Sequence, residues 1–241
     1  MPYLWYHNGR KAGRVSRVRR EDVNIAYNMD CLEYMKTLPD KAFELAVVDP
    51  PYGIAYARGK NGWGVCGNRP ETKDVSWDKS TPNKEYFDEI FRVSQNQIIW
   101  GGNYFTDKIP VSKCWIVWNK ISGTENKIVF ADCELAWTSF SKVCRMFTLR
   151  QMGFISDTKD NERIHPTQKP TELYRWIFAN YAKKGDKILD THLGSGSSRI
   201  AAYDCGLDFV GCEIDKTYFQ KQEERFERYT AQLSLFGGTN E

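Results

Sequence analysis

Short apolar runs recur along the chain, at 23–28 (VNIAYN), 44–49 (ELAVVD), 97–101 (QIIWG), 114–118 (CWIVW), 134–139 (ELAWTS), 187–191 (KILDT) and 208–213 (DFVGCE). Each has the length of a buried strand, and between them lie segments with helical spacing near 30–37, 84–94, 169–183, 196–205 and 215–230. Strands alternating with helices predict an α/β fold: an open, seven-stranded, mostly parallel sheet with helices on both faces. Such sheets bind ligands beyond the carboxyl ends of their strands, so the loops after Asp49 and Asp190 are where chemistry is expected. The stretches 53–83 and 141–168 fit neither period and read as long surface loops, each beside a candidate site segment. One domain over 23–230 follows, preceded by a basic arm at 1–22 and followed by a flexible tail at 231–241.

The composition supports a globular domain: 41% hydrophobic, 27% charged and 14% aromatic over 241 residues. No apolar run approaches the roughly 18 residues of a membrane span, and no apolar stretch follows the N-terminal basic residues, so no signal peptide is predicted. The seven cysteines are scattered, with no zinc-like spacing, and are expected to be reduced thiols; no metal is expected. A net charge of +3 does not by itself imply a polyanionic partner. The cluster Arg10, Lys11, Arg14, Arg17, Arg19 and Arg20 is either a phosphate-contacting arm or a solvated terminus.

Two loops carry the candidate chemistry. Asp49-Pro50-Pro51-Tyr52 follows the apolar run Leu45 to Val48. A carboxylate at a strand end, then two prolines, gives a stiff turn in which the Pro50 carbonyl stays a free acceptor. Two fixed acceptors suit a donor with two hydrogens, such as the exocyclic amino group of a base: holding both draws the nitrogen toward a tetrahedral shape and exposes its lone pair. Tyr52 is then a stacking surface; taken alone, the same four residues are also an ordinary strand-end turn. The second loop, Asp190 to Ser198 (DTHLGSGSS), places Gly194 and Gly196 before a helix, where backbone can approach a ligand and the helix N-terminus offers free N–H groups. Glu213 ends the next apolar run, 23 residues after Asp190, where a carboxylate can accept both hydroxyls of a ribose. The layout suits a nucleoside, and the chain has no triphosphate-binding G-x-x-x-x-G-K-[ST] motif. The competing interpretation is a tight strand-to-helix turn beside an unrelated acid.

Asp49-Pro50-Pro51-Tyr52 upstream of the Asp190 loop, with His165-Pro166-Thr167-Gln168-Lys169-Pro170 between them, resembles the amino-group DNA methyltransferases of the β order, in which the catalytic loop precedes the cofactor loop. The match spans roughly residues 23–228. It implies a Rossmann-like methyltransferase fold, S-adenosylmethionine as methyl donor, and double-stranded DNA with the target base flipped out. By the same resemblance, Asp49, Pro50, Pro51 and Tyr52 hold the base, while Asp190, His192, Ser195, the two glycines and Glu213 line the cofactor, with Thr167 and Lys169 near its methionine end. The family usually has an aromatic residue where this chain has His192, which can stack, hydrogen-bond or serve as a structural imidazole. Asp rather than Ser at position 49 points to adenine N6 as target. Cytosine N4 and a catalytically inactive DNA-recognition subunit are the alternatives, and a dinucleotide oxidoreductase would need its glycine loop nearer the N-terminus. A bacterial or phage-encoded cytoplasmic protein is expected, with a homodimer open.

Recognition of the surrounding sequence is expected from the two long loops, with Arg58, Lys60, Lys142, Arg145, Arg150, Lys159 and Arg163 available. The tail segment Gln232-Leu233-Ser234-Leu235-Phe236 resembles the motif by which bacterial proteins bind the replication sliding clamp. A helix end docking on its own core is the equal alternative.

Overall fold

A computed structural model describes residues 24–54, 78–121, 131–152, 155–156 and 163–236. The first half runs β1 (Asn24–Tyr27), α1 (Cys31–Lys36), β2 (Phe43–Val48), α2 (Lys84–Val93), β3 (Ser94–Trp100), a 3-10 turn (Gly102–Tyr104), β4 (Trp115–Asn119) and β5 (Cys133–Thr138). There follow β6 (Arg145–Thr148), β7 (Gln151–Met152), β8 (Ile155–Ser156), α3 (Thr171–Tyr181), β9 (Lys187–Asp190), α4 (Ser197–Cys205), β10 (Asp208–Cys212) and α5 (Lys216–Phe236).

The main sheet has eight strands, in the order β1-β10-β9-β2-β3-β5-β4-β6. From β1 through β3 every pairing is parallel; β5 runs antiparallel to both β3 and β4, and β6 returns parallel to β4. All seven apolar runs became strands of this sheet. The eighth, β6, lies in the stretch expected to be loop, which also holds the small β7–β8 hairpin. The basic arm 1–22, most of the 53–83 stretch and Lys159 lie outside the described residues.

Strand β2 shows why the sheet has two cores. Leu45 and Val47 pack with Trp100, Ile188 and the α3 residues Leu173, Ile177 and Phe178 on one face. Ala46 and Val48 pack with Met35 of α1 and Tyr86, Phe87 and Ile90 of α2 on the other. Each fully buried aliphatic side chain contributes about 1.5–3 kcal/mol, so a strand apolar at successive positions is stable only when covered on both sides. Trp100, Trp118 and Trp137 are core residues, 2% exposed or less. Asp30 and Asn83 cap α1 and α2 by accepting first-turn N–H groups. Helix α3 starts at Thr171 rather than 169 because Pro170 holds an extended conformation before it and disfavours helix at Lys169. Helix α5 continues to Phe236, so Gln232 to Phe236 are its closing residues and not a free tail.

The chain leaves β2 through α2 toward β3 on one side, and leaves β9 through α4 toward β10 on the other. The direction of winding therefore reverses between the neighbours β2 and β9. In open parallel sheets a crevice opens at such a reversal, beyond the carboxyl ends of the strands. Asp49 follows β2, Asp190 ends β9 and Glu213 follows β10, so all three carboxylates stand along this edge.

Candidate active site

A cavity of about 280 Å³ opens at this edge, lined among others by Asp49, His165, Lys169, His192, Gly194 and Glu213. Pro51, Thr167, Ser195 and the α5 residue Tyr218 also face it. Segments as far apart in the chain as Asp49 and Tyr218 thus form one wall, which sequence spacing alone does not establish.

Asp49 is held at both oxygens. The Tyr52 hydroxyl donates to Oδ1 at 2.6 Å, and the Lys169 ammonium donates to Oδ2 at 2.6 Å. Lys169, whose side chain is only 4% exposed, also lies 3.0 Å from Glu134 Oε2 and donates to the Tyr52 oxygen at 3.2 Å. Glu134 in turn is paired with Lys120 at 3.1 Å. The cluster therefore alternates in sign: Lys120, Glu134, Lys169, Asp49. Burial makes a lone charge costly, and this alternation is what offsets the cost. Burial raises the Asp49 carboxyl above its ordinary range, while Lys169 pulls it back. Burial acts downward on Lys169, yet Asp49 and Glu134 outweigh it and the ammonium is held more tightly than usual. Glu134 is also pushed up by burial, but Lys169 and Lys120 win and its carboxylate is stabilised.

The ring of Tyr52 is fixed by its surroundings. Tyr104 stacks on it with centroids 5.0 Å apart and planes 14° from parallel. Gly101 lies against the ring and has φ +68°; a Cβ there would come 2.2 Å from Tyr52 Cε1. Burial, then the neighbouring Asp49, raises the Tyr52 hydroxyl far above the usual tyrosine value, so it stays a donor to the carboxylate.

The glycine loop is organised differently. Asp190 accepts the His192 N–H at 3.0 Å and the Ser198 hydroxyl at 2.5 Å, so both its oxygens brace the turn. Burial lifts its pKa to about 7. Gly196, with φ +76°, ends the turn and starts α4, and a Cβ there would press on Gln222 at 3.2 Å. Arg225 of α5 reaches across to donate to the Ser195 carbonyl at 2.7 Å and the Ser197 hydroxyl at 3.0 Å. Glu213 accepts the Gly194 N–H at 2.8 Å through Oε2 and the Asp215 N–H at 2.9 Å through Oε1. The Ile214 backbone also bonds the Glu213 carboxylate, which with about four acceptor sites keeps capacity for a ligand hydroxyl. Burial pushes His192 down to about 4, leaving a neutral ring whose Nδ1 lies 3.0 Å from Thr191 Oγ1 and 3.3 Å from the Tyr86 hydroxyl. His165 is likewise pushed to about 4, by burial and then by Lys169, and meets the Tyr218 ring edge-on at 4.3 Å.

The structure thus brings Asp49, Pro51, Thr167, Lys169, His192, Gly194, Ser195 and Glu213 to the cavity wall. Asp190 and Gly196 shape the turn without being among the lining residues, and neither Pro50 nor Tyr52 is among them: Tyr52, expected as a stacking surface, is stacked by Tyr104 and bonds Asp49 instead. Lys169, expected beside the methionine end of a cofactor, is bonded to the catalytic-loop carboxylate. Sequence reasoning missed Glu134, Tyr104 and Arg225, and quoted His165 only as part of a motif. Nothing in the pattern marks Glu134, which sits in a strand and reaches the site through the β4–β5 pairing. Of the candidate sequence-reading residues, Lys142 donates to the Asn180 carbonyl at 2.9 Å and lies over the Phe140 and Tyr181 rings, while Arg163 donates to the Pro166 carbonyl.

Comparison with known proteins identifies the family and the fold. The sequence profile of the DNA methylase family matches residues 99–224, just over half the chain, including the Lys169 segment, the glycine loop and Glu213. The type II methyltransferase M.HinfI of Haemophilus influenzae is 24% identical over 253 residues, covering 86% of this chain and 70% of that protein. Among solved structures, TTHA0409, a putative DNA modification methylase of Thermus thermophilus complexed with S-adenosyl-L-methionine, has a TM-score of 0.54 at 18% identity, covering 85% of this chain and 95% of its own. The cytosine-N4-specific PvuII DNA methyltransferase has a TM-score of 0.55 at 14% identity, covering 86% and 89%. At these identities the two structures share the fold.

Proposed function

We propose, from the premise that this chain belongs to the DNA methylase family, that it methylates the N6 amino group of adenine in double-stranded DNA. At the coarser level it is a DNA methyltransferase acting on base amino groups, with S-adenosylmethionine as donor. The observation that carries the amino-group reading is Asp49, fixed just past the carboxyl end of β2 on the same cavity as Gly194 and Glu213.

The cavity's donor set suits the donor molecule. Glu213 retains acceptor capacity for a ribose hydroxyl, and the α4 N-terminus, Gly194 and Ser195 bring backbone close to a bound nucleoside. When bound, S-adenosylmethionine supplies an electrophilic methyl group on a sulfonium. The protein's own residues do the remainder. Asp49 accepts one hydrogen of the base amino group, the Pro50 carbonyl accepts the other, and the nitrogen lone pair is thereby turned away from the ring. The carboxylate then takes the proton that the methylated nitrogen must lose. Tyr52 and Lys169 keep it aimed throughout, through bonds of 2.6 Å each.

Adenine is preferred on the resemblance at position 49. Cytosine presents the same amino group, and the likeness to the cytosine-N4-specific PvuII methyltransferase supports that second reading. Incubation with genomic DNA and isotope-labelled S-adenosylmethionine, followed by mass spectrometry of the nucleosides, separates them. N6-methyladenine is expected; N4-methylcytosine would replace the adenine reading, and the absence of any labelled nucleoside would remove the proposed activity.

A further inference from the structure

We infer that Lys169 is a specificity-determining residue, and that with Asp49 it reads the Watson–Crick edge of the flipped base. The inference rests on the proposed function and deepens it. Asp49 Oδ2 and Lys169 Nζ are 2.6 Å apart, and both residues line the cavity. One presents an acceptor and the other a donor, side by side.

Adenine and cytosine each carry an amino nitrogen and an unprotonated ring nitrogen bonded to the same carbon. With C–N bonds near 1.33 Å, two such nitrogens lie about 2.3 Å apart. An acceptor for the amino hydrogen and a donor for the ring nitrogen therefore need nearly the separation that Asp49 and Lys169 have. The pair copies the edge that thymine offers adenine, or guanine offers cytosine. Guanine and thymine present the reverse, a carbonyl oxygen beside an N–H. Against Asp49 and Lys169 that order sets oxygen facing carboxylate and N–H facing ammonium, so both contacts repel. A carboxylate alone can select an amino group but does not test the neighbouring ring position.

The ammonium has three hydrogens. Its partners are Asp49 at 2.6 Å, Glu134 at 3.0 Å and the Tyr52 hydroxyl at 3.2 Å. The longest of these goes to the one neutral partner, and Tyr52 keeps its own bond to Asp49 Oδ1 when that hydrogen turns to a ring nitrogen. Glu134, anchored by Lys120 at 3.1 Å, is the positioning residue that holds the ammonium beside Asp49.

The test removes the ring acceptor and leaves the amino group. Once the methylated sequence has been mapped on genomic DNA, duplexes are made with 1-deazaadenine at the target position, or 3-deazacytosine if the methylated base is cytosine. For the wild-type enzyme kcat/KM is expected to fall roughly 10- to 100-fold on the deaza duplex, the scale of one hydrogen bond from a charged donor. In Lys169→Met the natural and deaza duplexes are expected to be equivalent. If turnover of that variant is too slow to follow, the same ratio is read from duplex affinity with S-adenosylhomocysteine present. Equal wild-type rates on the two duplexes would overturn the inference while leaving the methyltransferase reading intact. A deaza penalty of the same size in Lys169→Met would also overturn it, since another group would then be reading the ring nitrogen. Failure of the wild-type enzyme on natural DNA would remove the underlying reading and this one together.

Discussion

Two loops meet at the carboxyl edge of the sheet, and they are held in opposite ways. The Asp49 loop depends on charge: its carboxylate is fixed by a buried ammonium from a distant segment, which is fixed by Glu134, which is fixed by Lys120. In the Asp190 loop the carboxylates of Asp190 and Glu213 accept from backbone N–H groups and a hydroxyl, and Arg225 reaches in from α5 to a carbonyl and a hydroxyl. Charged partners give direction and a defined protonation state, as a reacting amino group requires. Backbone and hydroxyl partners give a fixed surface, as binding requires. The comparison teaches that turnover and donor affinity should be separable by mutation.

The sharpest separation is Asp49→Ala. It removes an acceptor that matters most as the amino nitrogen changes shape, so kcat should fall about 10²- to 10³-fold while the S-adenosylmethionine Kd stays within a few-fold. Single-turnover rates and calorimetry report the two quantities, and retained turnover would take Asp49 out of the chemistry. Glu213→Ala is the mirror experiment. Loss of a charged acceptor should weaken donor binding about 10- to 100-fold, with kcat at saturating donor little changed; an unaltered Kd would free Glu213 from that role. Gly101→Ala attacks the catalytic loop by volume, because the added methyl meets the Tyr52 ring at a positive φ. A stability loss of about 1–3 kcal/mol is expected in urea unfolding, and wild-type stability would show that the ring is not fixed as described.

The smallest effect tests the glycine loop by pH. His192 is pushed from 6.5 to about 4 by burial, so the folded state binds fewer protons than the unfolded chain between those values. Its neutral form is accommodated above pH 6.5, and stability is lost as pH falls toward 4. Asp190 acts with the opposite sign: its pKa is raised to about 7, so the folded state binds the extra proton and stability declines as pH rises from about 4 to 7. His192→Asn should remove the first contribution and leave the second, shifting the slope of unfolding free energy against pH between 4 and 6.5 in the negative direction. An identical slope in the variant would mean that His192 is protonated normally in the folded protein.

Much of this arrangement was legible in the sequence, and what was not has physical causes. The runs at 44–49, 97–101 and 187–191 announced themselves because strands covered on both faces must be apolar throughout. Strand β6 did not: Arg145, Met146 and Thr148 are exposed, and it joins the sheet at the edge through backbone bonds that any side chain permits. The end of α5 was read as tail because of its motif, although Ala231 to Phe236 contains no helix breaker and continues the helix. In the site, Asp49, Gly194 and Glu213 were found because turn chemistry and strand ends leave local marks. Glu134 leaves none, since its place beside Lys169 comes from the pairing of β5 with β3 and β4.

The contact between Gly101 and Tyr52 has an evolutionary corollary. The two positions share a single allotment of space, so a ring at 52 and any side chain at 101 exclude each other. Across related sequences the two sites should drift as a couple, a bulkier 101 arriving only with a slimmer 52. A chain that has made that exchange must steady the carboxylate at 49 with something other than a tyrosine hydroxyl.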